Sequence, residues 1–269
     1  MDRNAPIGVF DSGVGGLTVA REIMRQIPNE SIIYFGDTAR VPYGSKSKET
    51  IITYSRQIVQ FLLTKKVKAV VVACNTASAF ALETLQEEFD IPMLGVVKPG
   101  AKVAAETTVN GRVGVIGTLG TVSSGIYKQY IHDLNGDIEV FSKACPLFAP
   151  LVEEGWLEDP VTQEIARRYL EELKQEKIDT LVLGCTHYPL IRKTVQRIMG
   201  SEVNLVNPAY ETAISLRGVL QEQGLANEDS VYVKHKFYVS DGAEKFKSFA
   251  NTILPCEVEE TKDINIEQY

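Results

Sequence analysis

Cys74 and Cys185 are the residues on which chemistry would turn. Each follows a short apolar run, and Lys68-Ala-Val-Val-Val-Ala-Cys-Asn-Thr76 aligns without a gap on Asp179-Thr-Leu-Val-Leu-Gly-Cys-Thr-His187, at an offset of 111 residues. A free cysteine is usually a small buried hydrophobe, but two at equivalent positions suggest two equivalent faces. One sulfur that takes a proton from a carbon, and a second that returns one from the far side, would invert a stereocentre without a cofactor. With each sulfur about 3–3.5 Å from that carbon, the two stand roughly 6–7 Å apart, too far for a disulfide bond of ~2.05 Å.

His187 opens two competing readings. As a base for either thiol it would serve a Cys/His hydrolase, which needs one essential cysteine where inversion needs two. As a metal ligand beside Cys185 it would need a third donor, and no spacing supplies one. Four cysteines in 269 residues, with no C-x-x-C pair, support neither a disulfide scaffold nor a structural zinc site.

Short polar residues cluster where the apolar runs end. Asp11-Ser-Gly-Val-Gly-Gly16 has its glycines at 13, 15 and 16, which is not the dinucleotide pattern G-x-G-x-x-G, and no phosphate-binding G-x-x-x-x-G-K-[ST] occurs. What remains is a helix N-terminus whose free N–H groups suit a small anion such as a carboxylate. Ser12, Asn75, Thr76, Thr118 and Thr186 could each be a helix cap. Five of them beside matched strand ends fit a pocket for a zwitterion with several oxygens better than five separate caps.

The elements that must position these groups alternate. Strands are expected at 7–10, 31–35, 69–73, 93–96, 112–116, 138–141, 180–183, 202–206 and 236–239, with helices starting near Leu17, Ser47, Thr76, Pro99, Val122, Thr162, Tyr188, Glu211 and Ala243. Non-alternating Val/Ile-rich strands suit a parallel sheet buried on both faces, and the order is α/β. Ile7-Gly-Val-Phe-Asp-Ser-Gly13 matches Val113-Gly-Val-Ile-Gly-Thr-Leu119 at offset 106, and Ile33-Tyr-Phe-Gly-Asp-Thr38 lies opposite Val140-Phe-Ser-Lys-Ala-Cys145 at offset 107. Slowly rising offsets are those of a duplicated unit with small insertions. We therefore expect two pseudo-symmetric domains, residues 1–97 plus 208–269 and residues 98–207, each a mainly parallel sheet flanked by helices, with the site between them. The tail after Glu257 reads as a solvated end.

Composition narrows the function classes. A hydrophobic share of 44% with 23% charged residues is that of an ordinary soluble globular protein. A net charge of −7 argues against nucleic acid or an anionic membrane as the main partner. The start has no basic and apolar leader and no apolar stretch reaches the ~20 residues of a membrane span, so a cytoplasmic protein with reduced thiols is expected.

Ile7-Gly-Val-Phe-Asp-Ser-Gly-Val-Gly-Gly16, Gly36-Asp-Thr-Ala-Arg40 with Pro42-Tyr-Gly44, Val72-Ala-Cys-Asn-Thr-Ala77, Val115-Ile-Gly-Thr118, Cys145-Pro-Leu-Phe148 and Leu183-Gly-Cys-Thr-His-Tyr-Pro189 resemble the aspartate/glutamate racemase family, over residues from about 7 to 215. The resemblance implies interconversion of L- and D-glutamate for peptidoglycan synthesis, with aspartate as the near alternative substrate. It makes Cys74 and Cys185 the two acid/bases, with Asp11 assisting Cys74, and Glu153 and His187 assisting Cys185. It places Asp11, Ser12, Pro42, Tyr43, Gly44, Asn75, Thr76, Thr118, Thr121, Thr186 and His187 around the glutamate. It further implies no cofactor, neither pyridoxal phosphate nor metal, and a homodimer. Val41 stands where the family often has cysteine and Asn207 where it often has aspartate. The short N-terminus implies no activation by a cell-wall precursor.

Overall fold

The computed structural model describes residues 2–227 and 233–269. Among these residues ten strands form two sheets: β1 (Ile7–Asp11), β2 (Ile32–Gly36), β3 (Ala69–Val72), β4 (Met93–Gly95), β5 (Arg112–Gly117), β6 (Glu139–Ala144), β7 (Thr180–Gly184), β8 (Asn204–Val206), β9 (Lys236–Val239) and β10 (Thr261–Asp263). Six lie in the order β10-β9-β2-β1-β3-β4 and four in the order β6-β5-β7-β8. Every pairing among the described residues is parallel. The central strands β1, β2, β3 and β7 are buried at each position, because helices cover both faces.

The duplication is visible as topology. The order β2-β1-β3-β4 recurs as β6-β5-β7-β8. Ile7 stands opposite Ala69 as Val113 stands opposite Thr180, which reproduces the spacing that matched the two cysteine runs. One pairing shifts: Ile7 lies opposite Ile32 and Val113 opposite Val140, so Val140 answers to Ile32 and not to Ile33. β6 is an edge strand with no fully buried position, so its apolar pattern is a weak guide to register.

Crossing helices join the two sheets. The Val97–Thr107 helix buries Val97, Ala101 and Ala104 with Val113 and Val115 of the second sheet. The Pro208–Glu222 helix returns the chain and buries Ala209, Ala213, Leu216 and Leu220 with Val9 and Val71 of the first. Asn207 starts that helix by accepting the Ala209 N–H at 3.2 Å, the cap an aspartate would also make.

The expected solvated tail is instead structured. β10 pairs with β9, Val258 and Ile266 are buried, and Tyr269 meets Phe61 edge-on at 5.4 Å. Widely spaced apolar residues among charged ones gave no strand or helix period there. A second element escaped for a similar reason. The Phe148–Glu153 helix spans six residues and contains Pro150, too short for a helical period to show.

Candidate active site

Four strand ends meet at one cleft. β1 ends at Asp11 and β5 at Gly117, while Cys74 and Cys185 follow β3 and β7. Side chains from the two sheets touch here, at the carboxyl ends of the strands, where open α/β sheets place their ligands.

On the first side Cys74 is buried and stands at the start of the Asn75–Phe80 helix. The Ser12 hydroxyl and the Ala77 N–H hydrogen-bond to its sulfur. Burial, and after it the charge of Asp11, outweigh those bonds and push the thiol up to about 12. Asp11 is fully buried, and its Oδ2 accepts the N–H groups of Gly13 at 3.1 Å and Gly16 at 2.9 Å. Burial raises its pKa against the opposing pull of His187 and the loop amides. Tyr34 donates to the Gly13 carbonyl at 2.8 Å and fixes the same turn from below.

On the second side the groups form a chain. Cys185 Sγ lies 3.7 Å from His187 Nδ1, and His187 Nε2 lies 2.9 Å from Glu153 Oε1. Burial works against an imidazolium, but the bonds to Cys185 and Glu153, with the charges of Cys185 and Asp11, hold the His187 pKa at about 10. The bond to His187 in turn holds Glu153 below the usual carboxylate range. Glu153 therefore meets the thiol through His187, and it arrives on the short helix that periodicity missed.

A hydroxyl cluster spans the cleft. Thr76 Oγ1 lies 2.9 Å from Thr118 Oγ1 and 3.3 Å from Thr121 Oγ1, and Thr118 donates to Thr121 at 3.1 Å. Thr118 also caps its own helix by accepting the Thr121 N–H, so one hydroxyl is both a cap and a member of this cluster. Thr186 reaches back to Asp11 Oδ1 at 3.5 Å. Asn75 Oδ1 accepts the Tyr127 hydroxyl at 2.7 Å, again across the two sheets.

Two glycines set the closeness of the walls. A Cβ on Gly15 would fall 2.3 Å from Thr186 Oγ1 and 2.5 Å from His187 Nδ1, and one on Gly44 would fall 2.6 Å from Thr118 Cβ. In the Pro42-Tyr43-Gly44 turn, Gly44 makes that approach to Thr118. Pro42 is exposed, and the buried Tyr43 turns its hydroxyl to Asp37.

Several residues here were not singled out in the sequence. Gly15 lay within the glycine-rich turn, but its contact is with Thr186 and His187, 171 and 172 residues further on. Thr18, whose hydroxyl donates to the Thr186 carbonyl at 2.9 Å, and Tyr127 sit on helices where they read as ordinary interior positions. Among the described residues no group of three His, Cys, Asp or Glu side chains is placed to hold a metal ion, and no helix is long and apolar enough to cross a membrane.

Comparison with known proteins agrees in sequence and in structure. The family model for Asp/Glu/hydantoin racemases matches residues 7–213. A glutamate racemase of Geobacter metallireducens is 49% identical, with 97% of this chain and 97% of that protein covered. The crystal structure of a glutamate racemase isoform from Bacillus anthracis superposes with a TM-score of 0.94 at 41% identity, covering 98% of each chain. That of a Francisella tularensis glutamate racemase in complex with D-glutamate gives 0.93 at 39% identity, covering 99% of this chain and 100% of the other.

Proposed function

The chain belongs to the Asp/Glu/hydantoin racemase family, and from that membership we propose that it interconverts L- and D-glutamate by a two-thiol mechanism without a cofactor. The observation that supports the reading is the pair of buried thiols on equivalent strand ends of two sheets of the same order, beside hydroxyl and amide side chains that bond one another between the two halves. The near-full-length match to glutamate racemases selects glutamate over aspartate.

In this reading one sulfur, as thiolate, takes the α-proton from one face of the substrate. The electron pair left on Cα delocalises into the adjacent carboxylate, and the other cysteine, as thiol, delivers its proton from the opposite face. Preorganised donors aimed at the developing charge lower the barrier. Ser12, Asn75, Thr76, Thr118, Thr121 and Thr186 supply such donors, as do the backbone of the 42–44 turn and the N–H groups that begin the Asn75–Phe80 helix. Asp11 acts on the Cys74 side, and His187 with Glu153 on the Cys185 side. The threonines that bond one another across the cleft exchange those bonds for bonds to the substrate carboxylates, so entry requires the walls to part and product release requires them to part again.

The two sheets, with the helices at 97–107 and 208–222 packed as described, support a division into residues 1–97 plus 208–269 and residues 98–207. We also place the protein in the cytoplasm as a homodimer that supplies D-glutamate for peptidoglycan, on the family's precedent.

The test is incubation of the purified chain with L-glutamate, and separately with L-aspartate, in deuterated water without added cofactor. Optical rotation should decay to zero with glutamate while deuterium enters at Cα. Inversion of aspartate alone would move the substrate assignment, and no inversion of either would overturn the reading.

A further inference from the structure

Four bonds converge on a carboxylate that none of the site chemistry above uses. Asp37 follows β2, is fully buried, and donates its N–H to the Asp11 carbonyl at 3.0 Å. Its Oδ1 accepts from Ser240 Oγ at 2.8 Å and Arg40 Nε at 3.0 Å, and its Oδ2 accepts from Arg40 Nε at 2.7 Å and from the Tyr43 hydroxyl. Arg40 continues to Gln57 Oε1 at 2.6 Å and lies 3.9 Å over the Tyr54 ring, which itself packs on Tyr43 at 5.8 Å. Burial, and then the Asp37 charge, hold the Tyr43 phenol well above its ordinary pKa, so it remains a donor.

Ser240 brings the C-terminal segment into this cluster. It lies just past β9, its N–H donates to the Gly36 carbonyl at 3.1 Å, and its hydroxyl accepts the Ala39 N–H at 2.8 Å. Among the described residues the second sheet has no counterpart to β9 or β10, and none ties its equivalent loop in this way.

The cluster sits at the root of the Pro42-Tyr43-Gly44 turn. Val41, Pro42 and Ser45 are exposed, and Tyr43 is the turn's one buried side chain. A buried ion pair contributes little net stability over apolar packing of the same volume. It does specify geometry when several donors share one acceptor.

We propose that Asp37, Arg40 and Ser240 are positioning residues for glutamate binding. They hold Tyr43 by its hydroxyl and so seat the Gly44 backbone against Thr118 across the cleft, which lets the C-terminal segment set the fit of a turn 200 residues away. This deepens the glutamate reading and rests on it.

Asp37→Asn keeps the shape of the acceptor and removes its charge, while Ser240→Ala removes one donor and little volume. The expected result is a KM for glutamate raised about tenfold in Asp37→Asn and about threefold in Ser240→Ala, with kcat within about threefold of the parent in both. Ser240→Thr, which keeps the hydroxyl, restores KM. Amide hydrogen exchange should accelerate over residues 41–46 and stay unchanged in β3 and β7. Should Asp37→Asn not fold, Ser240→Ala and Ser240→Thr carry the same comparison. An unchanged KM without faster exchange at 41–46 would overturn the proposal, as would kcat falling together with exchange rising throughout the chain. A parent protein that leaves glutamate unchanged would remove the racemase reading, whereas the clamp on the turn would still be decided by exchange.

Discussion

In the first half of the cleft a buried carboxylate, Asp11, ends the central strand beside Cys74; in the second half the equivalent strand end is Gly117, and negative charge reaches Cys185 from Glu153 through His187. The backbone frames are copies, but the proton-handling groups are not. Cys74 is pushed up to about 12, so near neutral pH it is a thiol ready to donate. Cys185 lies against an imidazole that keeps its proton up to about pH 10, which gives negative charge on that sulfur a counter-charge. Duplication thus fixes where the two sulfurs stand, and divergence around them gives each sulfur different neighbours. In the proposed inversion the sulfurs exchange roles at each turnover, the one that takes the α-proton becoming the thiol and the other the thiolate, so both arrangements must be reachable.

The strongest test of the comparison separates the two thiols. Cys74→Ala and Cys185→Ala should each lower inversion by roughly 10²–10⁴-fold or more. In deuterated water each variant should still exchange the α-proton of one enantiomer, and the enantiomers should be opposite. If both variants retain exchange with the same enantiomer, the two faces are not equivalent and the comparison fails.

Gly15 is the next sharpest probe, because it belongs to the first half and touches the second. A methyl group there would lie 2.5 Å from His187 Nδ1, and neither the ring nor the Thr186 hydroxyl can stay in place. Gly15→Ala should cost about 100-fold, the scale expected for displacing a reacting group by an ångström. The loss should fall mainly on exchange of the enantiomer served by Cys185. Equal loss for both would mean that Gly15 matters to closure and not to His187.

The comparison also shows which parts were legible in the sequence. Both thiols, their strands and the α/β order could be read because parallel strands covered on both faces are plain apolar runs, and because the duplicated unit repeats them. The alignment of the two halves agrees with the registers of β1 with β3 and β5 with β7, while the alignment of β6 on β2 is off by one residue since an edge strand is weakly patterned. The tail was misread because single apolar residues on either side of β10, Val258 before it and Ile266 after it, stand among charged ones. Contacts such as Gly15 with His187, Tyr127 with Asn75 and Ser240 with Asp37 join residues far apart in the chain, and no local pattern encodes them. The resemblance, not the periodicity, pointed to Glu153.

A smaller effect is expected at the hydroxyl cluster, where each threonine is one donor among several. Thr118→Val keeps the shape, removes the cap on the Leu119–Ser123 helix, and leaves Thr76 and Thr121 bonded to each other at 3.3 Å. Loss of one hydrogen bond to a charged substrate group corresponds to about 1.5–3 kcal/mol, so KM should rise by about tenfold to about 150-fold. An unchanged KM would place the substrate away from this wall.

The smallest effect should come from Glu153→Gln, and its sign follows from the two groups it links. His187 is raised from 6.5 to about 10 by its partners, so the pair's contribution to stability is complete below the unfolded value and is lost as pH rises through about 10. Glu153 is lowered from 4.5, so its contribution is present above that value and is lost as pH falls through the folded one. The pair therefore stabilises between about pH 5 and 9. The Glu153 side chain is 37% exposed, and water screens much of the gain. Glutamine still offers His187 an acceptor but no charge. The melting temperature should drop slightly across that window, the deficit should shrink towards both ends, and the alkaline limb of the Cys185-side exchange rate should move to lower pH. The Cys74-side rate should keep its profile, because Asp11 and Ser12 serve that thiol. Equal movement of both limbs would show that Glu153 acts on the whole cleft, and the division of labour between the halves would have to be abandoned.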